Sequence, residues 1–219
     1  LTFRNPPPNA SIATKTESSK KLFAPSAERN APAICDVLKS ITLKQGNALE
    51  LASGTGQHIV TLAKAMPNIQ WQPTEVDPDR ITSIQAYIDE TSCSNISNPL
   101  LLNATQRGWS TKLYPMDLIS LSNLLHLISM SEVETLIAEA ATALSKGGRL
   151  FFYGPFKRSG ELISQGDIKF DKGIRTSDPD TGYKDDQWVI SHASQNGLVL
   201  AKTIEMPANN LALVFQKEP

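Results

Sequence analysis

Two cysteines and three histidines in 219 residues are too few, and too scattered, for a disulfide framework or a metal site. Cys35 and Cys93 read as reduced, buried thiols that pack as small hydrophobes. His58, His126 and His192 share no H-x-x-x-H spacing, so no metal is expected. The aspartates between 171 and 186 lack the D-x-[DN]-x-[DN]-G order of a calcium loop, and turn chemistry accounts for them. No run approaches the roughly 20 apolar residues of a membrane-spanning helix, so no membrane partner is expected. Neither sign of charge is in excess: 21 basic residues stand against 22 acidic ones, for a net charge of −1. Binding through nucleic-acid phosphates calls for a basic excess or a Lys/Arg stripe, so no nucleic-acid partner is expected.

What is present is an ordinary globular composition, 40% hydrophobic and 20% charged, in a length that suits one domain with a sizeable core. Residues 1–21, with NPPPNASIATKTESSKK, hold little that can pack and predict a flexible N-terminal arm. The expected compartment is the cytoplasm, or an organelle if that arm is what remains of a cleaved targeting segment. Residues 22–219 are expected to form the single domain.

From Ser26 the hydrophobic pattern becomes regular. In SAERNAPAICDVLKSI, Ile34, Val37, Leu38 and Ile41 recur at helical spacing, with Ser26 placed to cap the helix and Pro32 near its first turn. ALELA (48–52) reads as a short buried strand. QHIVTLAKAM (57–66) then sets Ile59, Leu62, Ala63 and Met66 on one helical face before Pro67 ends it. IQWQPTEV reads as strand, DRITSIQAYIDET as helix, and PLLLNA (99–104) and part of YPMDLISLSN (114–123) as strands. EVETLIAEAATALSKGG (132–148) predicts a helix closed by glycine, followed by the strand RLFFYGPF (149–156). The polar segment 157–186 is too long for a simple connection and predicts a lid. QWVISHASQNG reads as a last helix, and LVLAKTIEM and LALVFQK as strands joined through PANN, a turn in which Asn209 and Asn210 tolerate positive φ. Strands alternating with helices, closed by a hairpin, predict an α/β fold with a mostly parallel sheet and an antiparallel end.

In such a sheet ligands bind beyond the carboxyl ends of the strands, where a tight turn opens a helix whose first N–H groups are unpaired. ELASGTGQ (50–57) stands there, with Gly54 and Gly56 giving a sharp turn and close approach. A dinucleotide fingerprint needs G-x-G-x-x-G, but Ile59 holds the third position, which disfavours a nicotinamide-dependent reductase, and no Lys-Ser/Thr follows to make a phosphate loop. Glu50 beside the turn suits a ligand ammonium, and Glu75 in PTEVD can accept from ribose hydroxyls, with Asp77 as its alternative. A ligand carrying both an amino acid and a ribose is S-adenosylmethionine (SAM).

ELASGTG, PTEVD, LLNA, DLISLSNLLHLI and LSKGGRLFFYGPF resemble, in order and spacing, the successive motifs of class I SAM-dependent methyltransferases. More narrowly, SAERN, ASGTGQH, WQPTEVD, YGPF, SDPDTGYKD and PANN are similar to a family of small proteins first grouped as a domain of unknown function, which includes human methyltransferase-like members. The resemblance implies a Rossmann-like, seven-stranded, mostly parallel sheet with helices on both faces and an antiparallel C-terminal hairpin. It implies SAM as cofactor, lined by Glu50, Ser53, Gly54, Thr55 and Gly56, with Glu75 on the ribose and Asn103 near the adenine. Asn103 departs from the class pattern, which more often has Asp there. SAERN adds Ser26, Arg29 and Asn30, able to hold a carboxylate.

Methyl transfer from a sulfonium needs mainly alignment, with a base only where the acceptor loses a proton. His126 and Asn123, just past the fourth strand, and Tyr153, ending the fifth, are the candidates beside the acceptor, each also readable as a packing or hydrogen-bonding residue. The expected activity is SAM-dependent methylation of a small molecule. The alternative is a non-catalytic protein of this fold that serves as a SAM-binding or protein-interaction module.

Overall fold

The chain runs through β1 (Thr14–Lys15), β2 (Leu22–Phe23), α1 (Pro25–Ile41), β3 (Gly46–Leu51), α2 (Gln57–Ala65), β4 (Ile69–Glu75), α3 (Pro78–Asp89) and β5 (Leu100–Leu101). It continues through β6 (Met116–Ser122), α4 (Met130–Ala143), β7 (Leu144–Lys157), α5 (Gln165–Ser177), β8 (Lys184–Asp185), α6 (Asp186–Gln195), β9 (Leu198–Glu205) and β10 (Asn210–Lys217). The computed structural model describes residues 13–15, 20–42, 44–113 and 115–218. Most of the arm expected over residues 1–21 lies outside the described residues, as does Tyr114. Among the described residues no helix is long and apolar enough to cross a membrane.

One sheet organises the fold, in the order β5-β4-β3-β6-β7-β10-β9, with the short β8 beside the end of β7. Strands β3 to β7 are mutually parallel, and β10 is antiparallel to both β7 and β9. Alternate residues face opposite layers. Ala48, Trp71, Leu118, Phe151 and Val214 meet Ile34, Leu38, Ile59, Leu62 and Ile84 from α1, α2 and α3. Leu49, Ile119, Leu121, Phe152 and Phe215 meet Val133, Leu136, Val189 and Ala193 from α4 and α6. The chain builds outward from β3 to β4 and β5, then crosses back to β6, so the topological switch lies between β3 and β6.

Local chemistry moves several expected boundaries. Pro25 occupies the first position of α1, where its missing N–H costs nothing; the cap residue is therefore Ala24, Ser26 lies in the first turn, and Pro32 is interior. The helix over 132–148 begins earlier and ends at Ala143, opened by a Ser129/Glu132 capping box. Glycine does not close it: Leu144 turns directly into β7, and Gly147 (φ 76°) and Gly148 form an irregularity at the start of that strand. At Gly148 a Cβ would lie 2.8 and 2.9 Å from the Ser145 and Met116 carbonyl oxygens. In PANN the positive-φ residues are Ala208 and Asn209, whereas Asn210 opens β10 and is buried.

Segment 157–186 is built rather than irregular. Ser164 and Asp167 form a capping box on α5, and Asn209 of the hairpin turn donates to both. Tyr183 donates to Asp167, and its own N–H to Asp171, which also holds Arg175. The Lys184 ammonium is buried on the Ile128 and Gly182 carbonyls.

The α2–α3 packing depends on Gly56, which opens α2 at φ 96° and where a Cβ would lie 2.8 Å from the Ile84 Cα. Gly54, at φ 62°, would place a Cβ no closer than 3.5 Å to the Arg80 guanidinium. Gly56→Ala is therefore expected to cost about 2–4 kcal/mol of stability, and Gly54→Ala about 1–2 kcal/mol, in urea unfolding. Equal losses would contradict the close approach of α3.

Candidate functional site

The turn after β3 is stitched to β4. The Ser53 N–H donates to the Thr74 carbonyl and the Thr74 N–H to Ser53 Oγ, while the Thr74 hydroxyl donates to the Glu50 carbonyl. Ser83 of α3 donates to the Thr55 carbonyl, and Thr55, 2% exposed, donates to Gln57. Ser53 and Thr55 thus shape the turn through buried bonds.

Glu75 ends β4 with a buried carboxyl group whose Oε2 accepts from the Gly54 N–H at 2.9 Å and whose Oε1 accepts from the Val76 N–H at 2.7 Å. Burial raises its pKa, against the opposing pull of the Val76 N–H, the Arg80 charge and the Gly54 N–H. Each oxygen keeps a lone pair for an incoming hydroxyl. Asp77, the alternative at this end, is occupied as the cap of α3, accepting from the Asp79 N–H.

Glu50, next to last in the buried part of β3, is in a different state. It is 4% exposed, and its Oε2 is fully buried without a hydrogen-bond partner. Burial pushes its carboxyl up to about 8, with a Ser53 hydrogen bond opposing and the nearby Glu75 charge adding to the rise. Beside Glu75, an apolar cleft of about 70 Å³ is lined by Ala52, Val76, Leu102, Ala104, Leu124 and Ile128, with Glu75, Asn103, Thr105 and Glu132 at its polar edges. Asn103 Oδ1 accepts from the Thr105 N–H and hydroxyl, so the group it offers the cleft is the Nδ2 donor.

The start of α1 lies over the same turn. The Ala24 N–H donates to Gln57, and His58 of α2 bonds the Ala27 carbonyl; burial lowers the His58 pKa to about 4, so its ring is neutral and shapes the turn. Arg29 and Ser26 are exposed on this end, and Asn30 is 7% exposed. The Arg29 charge acts on Tyr153, whose buried hydroxyl, raised mainly by burial, accepts from Asn210 Nδ2 at 3.1 Å. Asn123 takes the left-handed conformation (φ 57°) at the end of β6 and bonds the Tyr153 carbonyl through its N–H.

His126 stands apart from this group. It is 4% exposed, packed between the rings of Phe170 and Tyr183, and burial together with the Lys184 charge lowers its pKa to about 3. Its surroundings are the 157–186 segment, whose Gly182 N–H donates to its carbonyl. His192 stacks on Trp188 on the far layer. The structure therefore gathers Glu50, Ser53, Gly54, Thr55, Gly56, Glu75 and Asn103 around one turn and cleft, adjoined by α1 and Tyr153. Two contributors were not singled out in the sequence: Thr74, which stands inside PTEVD without a role of its own, and Asn210, read as part of a turn.

Residues 21–217 match the family described as Protein of unknown function (DUF938). The chain belongs to this family. In fold, this DUF938 protein is similar to an O-methyltransferase family 2 protein from Planctomyces limnophilus DSM 3776, solved with apigenin: TM-score 0.75, 19% identity, over 88% of this chain and 58% of that one. It is similar to an O-methyltransferase family protein from Burkholderia thailandensis, with TM-score 0.72 and 14% identity over 86% of this chain and 56% of that one. Human N-acetylserotonin methyltransferase, solved with SAM, gives TM-score 0.67 and 13% identity over 86% and 55%. The DUF938 chain thus spans little more than half the length of these proteins, and at such identities the likeness is one of fold.

The Glu50 environment carries a stability signature. In the folded chain the carboxyl keeps its proton up to about pH 8, whereas in the unfolded chain it releases it near pH 4.5. Between those values the unfolded state binds fewer protons, so this group lowers stability as pH rises. Glu50→Gln is expected to stabilise the protein by about 3 kcal/mol more at pH 8 than at pH 5, read by urea unfolding at both. A difference that does not change with pH would overturn the assignment of a neutral, buried carboxyl.

Proposed function

We propose that this protein is a SAM-dependent methyltransferase acting on a small molecule. The observation that carries the reading is the buried, unpartnered Glu50 carboxyl oxygen beside a glycine turn whose N–H is held by a second carboxylate, Glu75. Burial makes Glu50 costly to ionise, and a ligand ammonium is the group that offsets that cost. The residues present suit the cofactor: Glu50 would take the ammonium, Arg29 and Asn30 the carboxylate and Glu75 the ribose hydroxyls, with the adenine edge at the mouth of the apolar cleft beside Asn103. When bound, SAM supplies an electrophilic methyl group on sulfur.

The chain's own residues supply alignment and exclusion of water. Asn123, just past the end of β6, bonds the Tyr153 carbonyl within β7, next to the expected acceptor space. His126, buried and neutral, is a packing residue rather than a base in this reading, so the acceptor is one whose nucleophilic atom attacks without first giving up a proton to the protein. Segment 157–186 serves as a fixed cover, supported by its hydrogen bonds to the β9–β10 turn. The similarity of fold to O-methyltransferases that include one solved with apigenin supports a small acceptor.

The burial of His126 away from the turn is what favours the second reading, a SAM-binding module without catalysis. Calorimetric titration with S-adenosylhomocysteine, using NADH as control, tests the shared premise. Micromolar binding of the former alone is expected. Glu75→Ala should weaken it by about 1.5–3 kcal/mol, as for a hydrogen bond to a charged group, and Gly54→Val should abolish it. Because Glu50 holds its proton up to about pH 8 and an ammonium requires it ionised, binding at pH 7 should release close to one proton, seen as buffer-dependent heat. Unchanged affinity in a folded Gly54→Val protein would sink the site.

A further inference from the structure

Glu50 Oε2 is not the only orphan on its face of the sheet. The Ser120 hydroxyl, on a residue 2% exposed, is also fully buried without a partner. The two residues are register partners on the parallel strands β3 and β6, and Phe151 of β7 continues the same row. In-register neighbours put their side chains on one face, with backbones about 5 Å apart. They also flank the topological switch, where the crevice of an open α/β sheet lies. Trp71 Nε1 of β4 is a third unpartnered atom on this face, but only Glu50 and Ser120 are register partners, and two orphans in register call for a common cause.

We propose that Ser120 is the positioning residue of Glu50, its hydroxyl donating to the inner carboxylate oxygen once a ligand ammonium engages the outer one. This rests on the SAM reading. A serine hydroxyl turns about one bond and has no competing acceptor here, so it can follow the change of charge on Glu50. An alanine or valine on β6 would pack the row equally well but leave a newly ionised carboxylate without a donor on its buried side. The arrangement makes the site selective for ligands that carry an amino-acid ammonium over nucleosides that lack it.

The surrounding charges are accounted for. Glu75 from β4 acts on Glu50 and is itself tied to Gly54 and Val76 and opposed by Arg80 of α3. His58 of α2 is held on the Ala27 carbonyl, and the Arg29 charge of α1 acts on Tyr153.

The test is titration of wild type and Ser120→Ala with S-adenosylhomocysteine and with 5′-methylthioadenosine, which has the nucleoside but no amino acid. Ser120→Ala removes an orphaned hydroxyl and is expected to keep or raise the melting temperature. It should bind S-adenosylhomocysteine about tenfold more weakly at pH 7, the scale of a hydrogen bond to a charged group, and bind methylthioadenosine as wild type does. The deficit should shrink toward pH 9.5, where the free Glu50 is already ionised in wild type. Adding Ser120→Ala to Glu50→Gln should cost nothing more. Equal affinity of the single variant and wild type at pH 7, or an equal loss for both ligands, would overturn the role of Ser120 and leave the cofactor reading standing. No binding of S-adenosylhomocysteine by wild type would overturn both.

Discussion

A 2.9 Å hydrogen bond from the Gly54 N–H to the Glu75 carboxylate joins the ends of two parallel strands, and the geometry of the site follows from it. It can form because Thr74 and Ser53 hold the two strand ends together by reciprocal bonds, so the turn is fixed from the β4 side. Ser83 of α3 fixes it again through the Thr55 carbonyl, and Gly56 lets α3 approach closely enough to do so. The two glycines therefore have different causes. One makes room for a helix, and the other leaves a face open where a ligand can come near.

Much of this was legible in the sequence because it rests on local rules. A short apolar run, a glycine turn and a helical period identify β3, the turn and α2 without any knowledge of the remainder, and the acids at 50 and 75 stand at strand ends by count alone. Boundaries failed where a local rule had a competitor. Ser26 is a good cap, but Pro25 is a better first residue. Gly147 and Gly148 resemble a helix stop, yet the apolar Leu144 is buried and the chain enters β7 at once.

Long-range pairings were beyond such rules. Nothing in PANN marks Asn210 as the partner of the Tyr153 hydroxyl 57 residues away, because antiparallel pairing of β10 with β7 is what brings them together. Likewise His126 follows strand β6, as a residue near an acceptor would, but the 157–186 segment closes over it with Phe170, Tyr183 and the Lys184 ammonium. Its neutrality is a consequence of that burial, since a second positive charge beside Lys184 would have no solvent to relax it.

The contrast between the two polar clusters separates structure from function. Around α5, the acids Asp167 and Asp171 are bonded to Ser164, Tyr183, Arg175 and Asn209, and the buried Lys184 ammonium is met by carbonyls. A network satisfied in this way stabilises the segment and asks for no ligand. Around Glu50, a carboxyl oxygen and a hydroxyl are buried and unmet, on the row of the sheet nearest the switch point. Folding stability alone would favour apolar residues at both positions, a cost that the proposed cofactor site would account for. Among the described residues the other two unmet groups, Trp71 Nε1 and Arg158 Nε, stand apart from this pair, and His126 belongs to the satisfied cluster, which weighs for the β3–β6 crevice over His126 as the chemical centre.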